Sequence, residues 1–108
     1  MVKSKRNGRR MIVYLSGELD HCASERLRAE IESLLADTQI VHLVFDFEQV
    51  SFMDSSGVGM MIGRYKTMRT RGGTVTARRL NPTVEKLFRM AGLHRIITLE
   101  DTGRQEEA

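Results

Sequence analysis

The sequence predicts an α/β fold, a mostly parallel sheet with helices packed against it, and three observations carry that reading. Apolar runs rich in strand-forming residues alternate with segments of helical periodicity. The connections between them are short, so successive strands lie side by side with a helix crossing between them. The central run, Ile40-Val-His-Leu-Val-Phe-Asp-Phe47, is almost continuously apolar, the pattern of a strand covered on both faces of a parallel sheet. At 108 residues the chain has the size of one domain and no room for a second.

Asn7-Gly8 is a two-residue hairpin signal, so residues 2–6 are expected to form an edge strand antiparallel to 10–16. Met11-Ile-Val-Tyr-Leu-Ser16 is the strand proper, ended by Ser16-Gly17. Over residues 23–36, Leu27, Ile31, Leu34 and Leu35 recur at helical spacing, with Asp20 or Ser24 as the cap. The run 40–47 leads into a loop, Glu48–Asp54. A second helix follows, with Val58, Met61, Ile62, Tyr65 and Met68 on one face and Arg71-Gly72-Gly73 at its end. Thr74–Arg79 is a strand of modest hydrophobicity, expected nearer an edge. Asn81-Pro82 supplies a cap and a proline for the first turn of a third helix, which Gly92 stops. Arg95-Ile-Ile-Thr-Leu99 is the last strand. The ordered core is expected over about 10–100, between a basic segment 1–9 and a polar tail 101–108.

Composition excludes several function classes. Hydrophobic residues are 41% and charged residues 29%, which fits a globular chain. The lone Cys22 rules out an intramolecular disulfide and a cysteine-based zinc site. His21, His42 and His94 are scattered, so no metal and no cofactor are expected. There is no secretory pattern and no apolar stretch near the ~20 residues of a membrane span, so the expected compartment is the cytoplasm and no membrane is expected as a partner. The net charge of +3 comes mostly from the ends: Lys3, Lys5, Arg6, Arg9 and Arg10 lead the chain, while Glu100, Asp101, Glu106 and Glu107 against Arg104 close it. One asymmetry lies inside. From Ser55 to Val84 there is no acid, yet Arg64, Lys66, Arg69, Arg71, Arg78 and Arg79 fall there. That stretch reads either as a solvated basic face or as a docking surface for an acidic partner or a phosphate. A basic nucleic-acid-binding domain is the alternative reading, weakened by the absence of Trp and the few aromatics available for stacking. The seven methionines read as core filling, with Met60 or Met61 open to exposure at a partner surface.

Ser51-Phe-Met-Asp-Ser-Ser-Gly-Val-Gly59 carries the chemistry. It joins the most buried strand to the second helix, and sites in parallel sheets gather at the carboxyl ends of strands. Ser55 and Ser56 stand at the helix start. One reading makes either serine a cap and the glycines packing devices. The other makes a serine a phosphate acceptor, since a helix start favours anions and a phosphate there alters a surface without unfolding the fold. Gly59 and Gly63, four apart, suggest close approach of a neighbouring backbone or a partner. Ser55, Asp54 and the histidines supply the letters of a hydrolytic triad, but no Gly-x-Ser-x-Gly elbow is present and Asp54 is poorly placed to orient a base.

Gly17-Glu-Leu-Asp-His21, Ser51–Gly59, Gly63-Arg-Tyr-Lys66 and Phe88-Arg-Met-Ala-Gly-Leu93 together resemble the anti-sigma factor antagonists, and most narrowly their stage II sporulation AA branch of STAS-domain proteins. The resemblance runs from about residue 10 to 100. It implies a STAS-type sheet of four or five strands with three to four helices. It also implies partner switching: the unphosphorylated chain binds an ATP- or ADP-bound anti-sigma factor serine kinase and frees a sigma factor, the kinase phosphorylates the chain, and a phosphoserine phosphatase reverses this. Carried onto this sequence, the phosphorylated residue is Ser55. The partner surface comprises Glu18, Asp20 and His21 in one loop and Asp54, Ser56, Gly57 and Gly59 in the other. Cys22 departs from the sporulation branch, where a second histidine can follow the first. A regulatory STAS module outside sigma control remains the second alternative.

Overall fold

A hairpin joins β1 (Lys3–Asn7) to β2 (Arg10–Leu19) in the computed structural model, which describes residues 1–100; the expected tail 101–108 lies outside them. The hairpin register pairs Asn7 with Arg10, so the turn residues are Gly8 and Arg9, one place later than the Asn-Gly signal suggests. Gly8 takes φ +65°, the left-handed value that the first position of such a turn demands. The basic leader is therefore a strand of the sheet and not a frayed end. All five residues of β1 are exposed, and its lysines and arginine suit an edge that must not pair with another chain.

The chain continues as α1 (His21–Leu34), β3 (His42–Met53), α2 (Ser55–Thr70), β4 (Thr74–Arg78) and α3 (Pro82–Met90), a single 3-10 turn at Leu93–Arg95, and β5 (Thr98–Glu100). The five strands lie in the order β1-β2-β3-β4-β5; β1 is antiparallel to β2 and every other pair is parallel. β4 lies one strand in from the edge formed by β5, in line with its modest hydrophobicity. Leu43–Phe47 at the centre of β3 is buried throughout, as its apolar run predicts.

Three boundaries differ from the sequence reading. β2 does not stop at Ser16-Gly17, and 48–53 is not a loop. The two strands stay paired through Ser16–Gln49, Gly17–Val50, Glu18–Phe52 and Leu19–Met53, with register shifts between Tyr14 and Ser16 and between Gly17 and Glu18. Gly17 at φ +75° permits this irregularity. Burial there falls on Val50 and Met53, every third residue rather than every second, so the strand pattern vanishes from the sequence while the pairing continues. At the other end of the chain, Gly92 at φ +79° starts the 3-10 turn, which takes Arg95 out of the last strand and shortens it to Thr98–Glu100.

The core is one cluster that includes Leu15, Ile31, Phe45, Phe47, Met61 and Phe88. Met60 is buried with Met61, so neither is exposed at a surface. The buried face of α2 is Gly57, Met60, Met61, Arg64 and Met68 rather than the stripe of Val58, Ile62 and Tyr65, which are half-buried. Arg64 thus points inward and meets Glu32 of α1 at 3.1 Å. Burial pushes its guanidinium below the usual arginine range and nearby Arg28 adds to this, with Glu32 opposing both. Among the described residues no helix is long and apolar enough to cross a membrane.

Candidate functional site

β2 and β3 are parallel neighbours and end side by side, Leu19 beside Met53. Each is followed by one aspartate and then a helix. Asp20 caps α1 by accepting the Ala23 amide at 2.9 Å, and Asp54 caps α2 by accepting the Ser56 amide at 2.8 Å. The two helix starts therefore stand next to each other at the carboxyl edge of the sheet, where sites on such folds collect. Neither Ser24 nor either serine of the pair is a cap. An ionised side chain that accepts an amide at a helix start stabilises it by roughly 1 kcal/mol.

Asp54 also accepts the Gly57 amide through its carbonyl at 3.1 Å, which fixes the first turn. Ser55 is the first residue of α2 and is exposed; Ser56 is half-buried; Gly57 is buried; Gly59 is exposed. Gly57 is the one residue of the motif whose bareness the fold itself uses. A Cβ there would come within 2.6 Å of Met53 Cγ and 3.3 Å of Leu19 Cβ, so α2 sits directly on the ends of both strands. Gly59 and Gly63 have no atom within 4 Å of where a Cβ would be, so no neighbouring backbone of this chain approaches them.

On the α1 side, Glu18 is a strand residue paired with Phe52, Asp20 is the cap, and His21 is the first helical residue. These three were expected in a loop; the strand and helix leave only Asp20 between them. Glu18, Asp20 and His21 are exposed, and so is Cys22. A cleft of about 290 Å³ runs between the two helix starts, walled by His21, Ser24, Glu25 and Arg28 of α1 and by Ser56, Gly59 and Met60 of α2. Of the residues expected at a partner surface, His21, Ser56 and Gly59 thus meet in one place. Gly57 lies beneath them. Sequence reasoning missed Ser24, Arg28 and Phe52. Phe52 is 45% exposed two residues before Asp54, and no alternation marks it, because burial there falls on every third residue.

The acid-free stretch does not form one basic face. Arg64 is buried, and Arg78 meets buried Asp46 at 2.8 Å. Arg79 meets Glu48 at 3.0 Å. Arg71 reaches across to the carbonyls of Leu35, Asp37 and Ile40, closing the end of α1. The acids that balance these arginines come from elsewhere in the chain, which a count along the sequence cannot register. His42 and His94 lie on other elements, His42 at the start of β3 with its ring against Thr74 Oγ1 at 2.8 Å; His21 does border the cleft, but the Asp54 carboxylate accepts the Ser56 amide.

Comparison with known proteins gives one consistent picture. The family model for the STAS domain matches residues 1–105. The anti-sigma F factor antagonist of Paenibacillus polymyxa is 40% identical over 84% of this chain and 78% of its own length. The anti-sigma-B factor antagonist of Bacillus subtilis strain 168 is 31% identical over 91% of this chain and 88% of its own. Among solved structures, the anti-sigma factor antagonist SpoIIAA in its unphosphorylated form superposes with a TM-score of 0.81 at 30% identity, covering 99% of this chain and 94% of that one.

Proposed function

This chain belongs to the STAS domain family and, within it, to the anti-sigma factor antagonists, and from that premise we propose that it frees a sigma factor by binding an anti-sigma factor and is switched off by phosphorylation of Ser55. The observation that carries this is the placement of Ser55: an exposed residue, the first of α2, between the capping residue Asp54 and Ser56, which lines the cleft. A kinase can reach it without unfolding anything. SpoIIAA is known in both a phosphorylated and an unphosphorylated form, and both superpose on this chain, with TM-scores of 0.73 and 0.81. Phosphorylation in that relative leaves the fold standing, which supports a switch that acts at the surface.

The chemistry of the switch follows from charge. A phosphate adds about −1.5 to −2 at neutral pH. It lands next to Asp54, whose carboxylate is already committed to the Ser56 amide and cannot turn away without uncapping the helix. Any partner that closes over Ser55 must then desolvate two adjacent anions. Mismatched charge in an interface costs several kcal/mol, and every 1.4 kcal/mol is about tenfold in affinity. Phosphorylation therefore weakens binding by at least about a hundredfold on that arithmetic, with the backbone nearly unmoved. The chain acts by binding and not by catalysis. The partner that phosphorylates it is an anti-sigma factor with serine kinase activity, bound to ATP or ADP, and a phosphoserine phosphatase resets it. Glu18, Asp20, His21, Asp54, Ser56, Gly57 and Gly59 make up the partner surface, Asp20, Asp54 and Gly57 by holding the helix starts in place.

The test is to incubate the chain with the anti-sigma F factor of Paenibacillus polymyxa and ATP and to map the product by mass spectrometry. One phosphate, on Ser55, is the expected result. A phosphate on Ser56 instead, or none at all, contradicts the assignment.

A further inference from the structure

We propose that the cleft between α1 and α2 is a receptor pocket for one neutral, hydrogen-bonding side chain of the anti-sigma factor, kept open by Gly59; this rests on the function proposed above. Glycine in a helix interior destabilises it relative to alanine. Gly59 is exposed, its φ is not in the left-handed region, and a Cβ there would touch nothing within this chain. The fold itself therefore gives no reason for a bare position. The cleft gives one, because Gly59 forms part of its wall. Any longer side chain at that position lies along the space that a guest must enter.

Ser24 is the independent observation. It is 4% exposed, it lines the same cleft, and its hydroxyl has no hydrogen-bond partner. A buried hydroxyl without a partner is destabilising, and native structures resolve such groups with a partner. The charge around the cleft selects the guest's chemistry. Arg28 is paired with Glu25 at 3.4 Å and Glu32 at 3.5 Å, and Arg64 shares Glu32 at 3.1 Å, so two arginines and two glutamates balance there. Buried Met60 supplies an apolar wall. A side chain with an aliphatic stem and an amide or hydroxyl tip matches all three features. Ser55 directly precedes Ser56, which lines the cleft, so a phosphate there meets a guest that carries no compensating charge.

Binding of the Paenibacillus polymyxa anti-sigma F factor, loaded with ADP, is measured by calorimetry for the wild-type chain and for Gly59→Leu, Ser24→Ala and Ala29→Leu, together with each melting temperature. Ala29 is exposed on α1 and does not line the cleft, so Ala29→Leu controls for added apolar bulk. The expected result is a loss of at least about tenfold in affinity for Gly59→Leu, a loss of severalfold for Ser24→Ala, and no change for Ala29→Leu. Gly59→Leu and Ser24→Ala melt at or above the wild-type temperature, because one removes a helix glycine and the other a buried hydroxyl without a partner, and Ala29→Leu melts near it. Should Gly59→Leu fold poorly, Gly59→Gln, equally long but polar, takes its place. Equal binding by wild type and the residue 59 variant overturns the pocket while leaving the proposed function standing. Equal losses for Gly59→Leu and Ala29→Leu overturn it as well. Failure of the wild-type chain to bind overturns the function on which the pocket rests.

Discussion

The two ends of α2 both depend on glycines and a polar side chain, and they use them in opposite ways. At the C-terminal end the chain is jammed against its neighbours. Arg71 bonds the carbonyls of Asp37 at 3.3 Å and Ile40 at 3.0 Å, and a Cβ on Gly73 would fall 1.8 Å from the Val41 carbonyl oxygen. At the N-terminal end the fold uses one glycine, Gly57, and leaves the next turn bare. Ser55 and Gly59 are exposed, and a Cβ on Gly59 would meet nothing of this chain within 4 Å. The difference separates two reasons for keeping a small residue. One is internal and belongs to stability; the other has no internal cause, and the proposed pocket assigns it to a partner. The firm end also serves the bare one. A helix fixed at its base presents its first turn in one place, so a single phosphate there changes a defined surface.

The sharpest way to break the comparison is Gly73→Ala. The obstacle is a backbone carbonyl, which cannot rotate aside, so the strands must separate. We expect destabilisation of about 3 kcal/mol or more, a fall in melting temperature of roughly 10 °C, and no specific effect on partner binding beyond it. A melting temperature within 2 °C of wild type would show that the end of α2 is not jammed. Arg71→Ala comes next. It removes three bonds to carbonyls, the two to Leu35 and Ile40 lying in part-buried surroundings while Asp37 keeps the Ile40 amide, and about 1–3 kcal/mol is the expected loss. Gly57→Ala should cost about 1 kcal/mol, because its obstacle is the Met53 side chain, which can shift where a carbonyl cannot. Gly59→Ala has the opposite sign: with nothing to strike, it should stabilise the free chain by about 0.5–1 kcal/mol. If Gly57→Ala and Gly59→Ala moved stability in the same direction, the distinction between the two glycines would collapse.

The smallest effect concerns Asp37, whose carbonyl Arg71 holds. The Gln39 amide and then Arg6 keep its carboxyl below the usual carboxylate range. A lowered folded-state pKa means stability that is present above the unfolded value and lost as pH falls through the folded one. The carboxylate is exposed and screened, so the effect is a slight steepening of the acid side of the stability profile. Asp37→Asn should make that side shallower and leave neutral pH almost unchanged. A profile identical to wild type would remove Asp37 from the anchored end.

What the sequence made legible follows the same division. The helices, the buried centre of β3 and the Asn81-Pro82 helix start are local patterns, and local patterns are readable. Asn81 does cap α3, accepting the Val84 amide at 2.8 Å, and it also donates to the Val50 carbonyl at 3.1 Å, which no local pattern contains. The extension of β2 and β3 past residue 47 was hidden because the register shifts near Gly17 disturb the two-residue alternation. The inward turn of Arg64 was hidden because its partner, Glu32, lies thirty-two residues away. The jam at Gly73 needs Val41 from the opposite side of a crossover. In the site, the motif located Ser55 and its helix, while the cleft emerged only when α1 and α2 were set side by side, bringing Ser24 and Arg28 to Gly59. The close backbone that Gly59 and Gly63 suggested is found at Gly73 instead, while Gly57 meets side chains.

The central claim is that Ser55 switches binding by charge on an unmoved surface. Titration of the Paenibacillus polymyxa anti-sigma F factor, in ADP, with wild type, Ser55→Ala and Ser55→Asp tests it most directly, alongside the melting temperature of each. Ser55→Ala should bind like wild type and resist release when ATP is added. Ser55→Asp should keep a melting temperature within a few degrees of wild type, as exposed substitutions do, and lose at least about tenfold in affinity, a lesser penalty than a full phosphate brings. Equal affinity for wild type and Ser55→Asp, or release of Ser55→Ala through a phosphate on Ser56, would contradict the account.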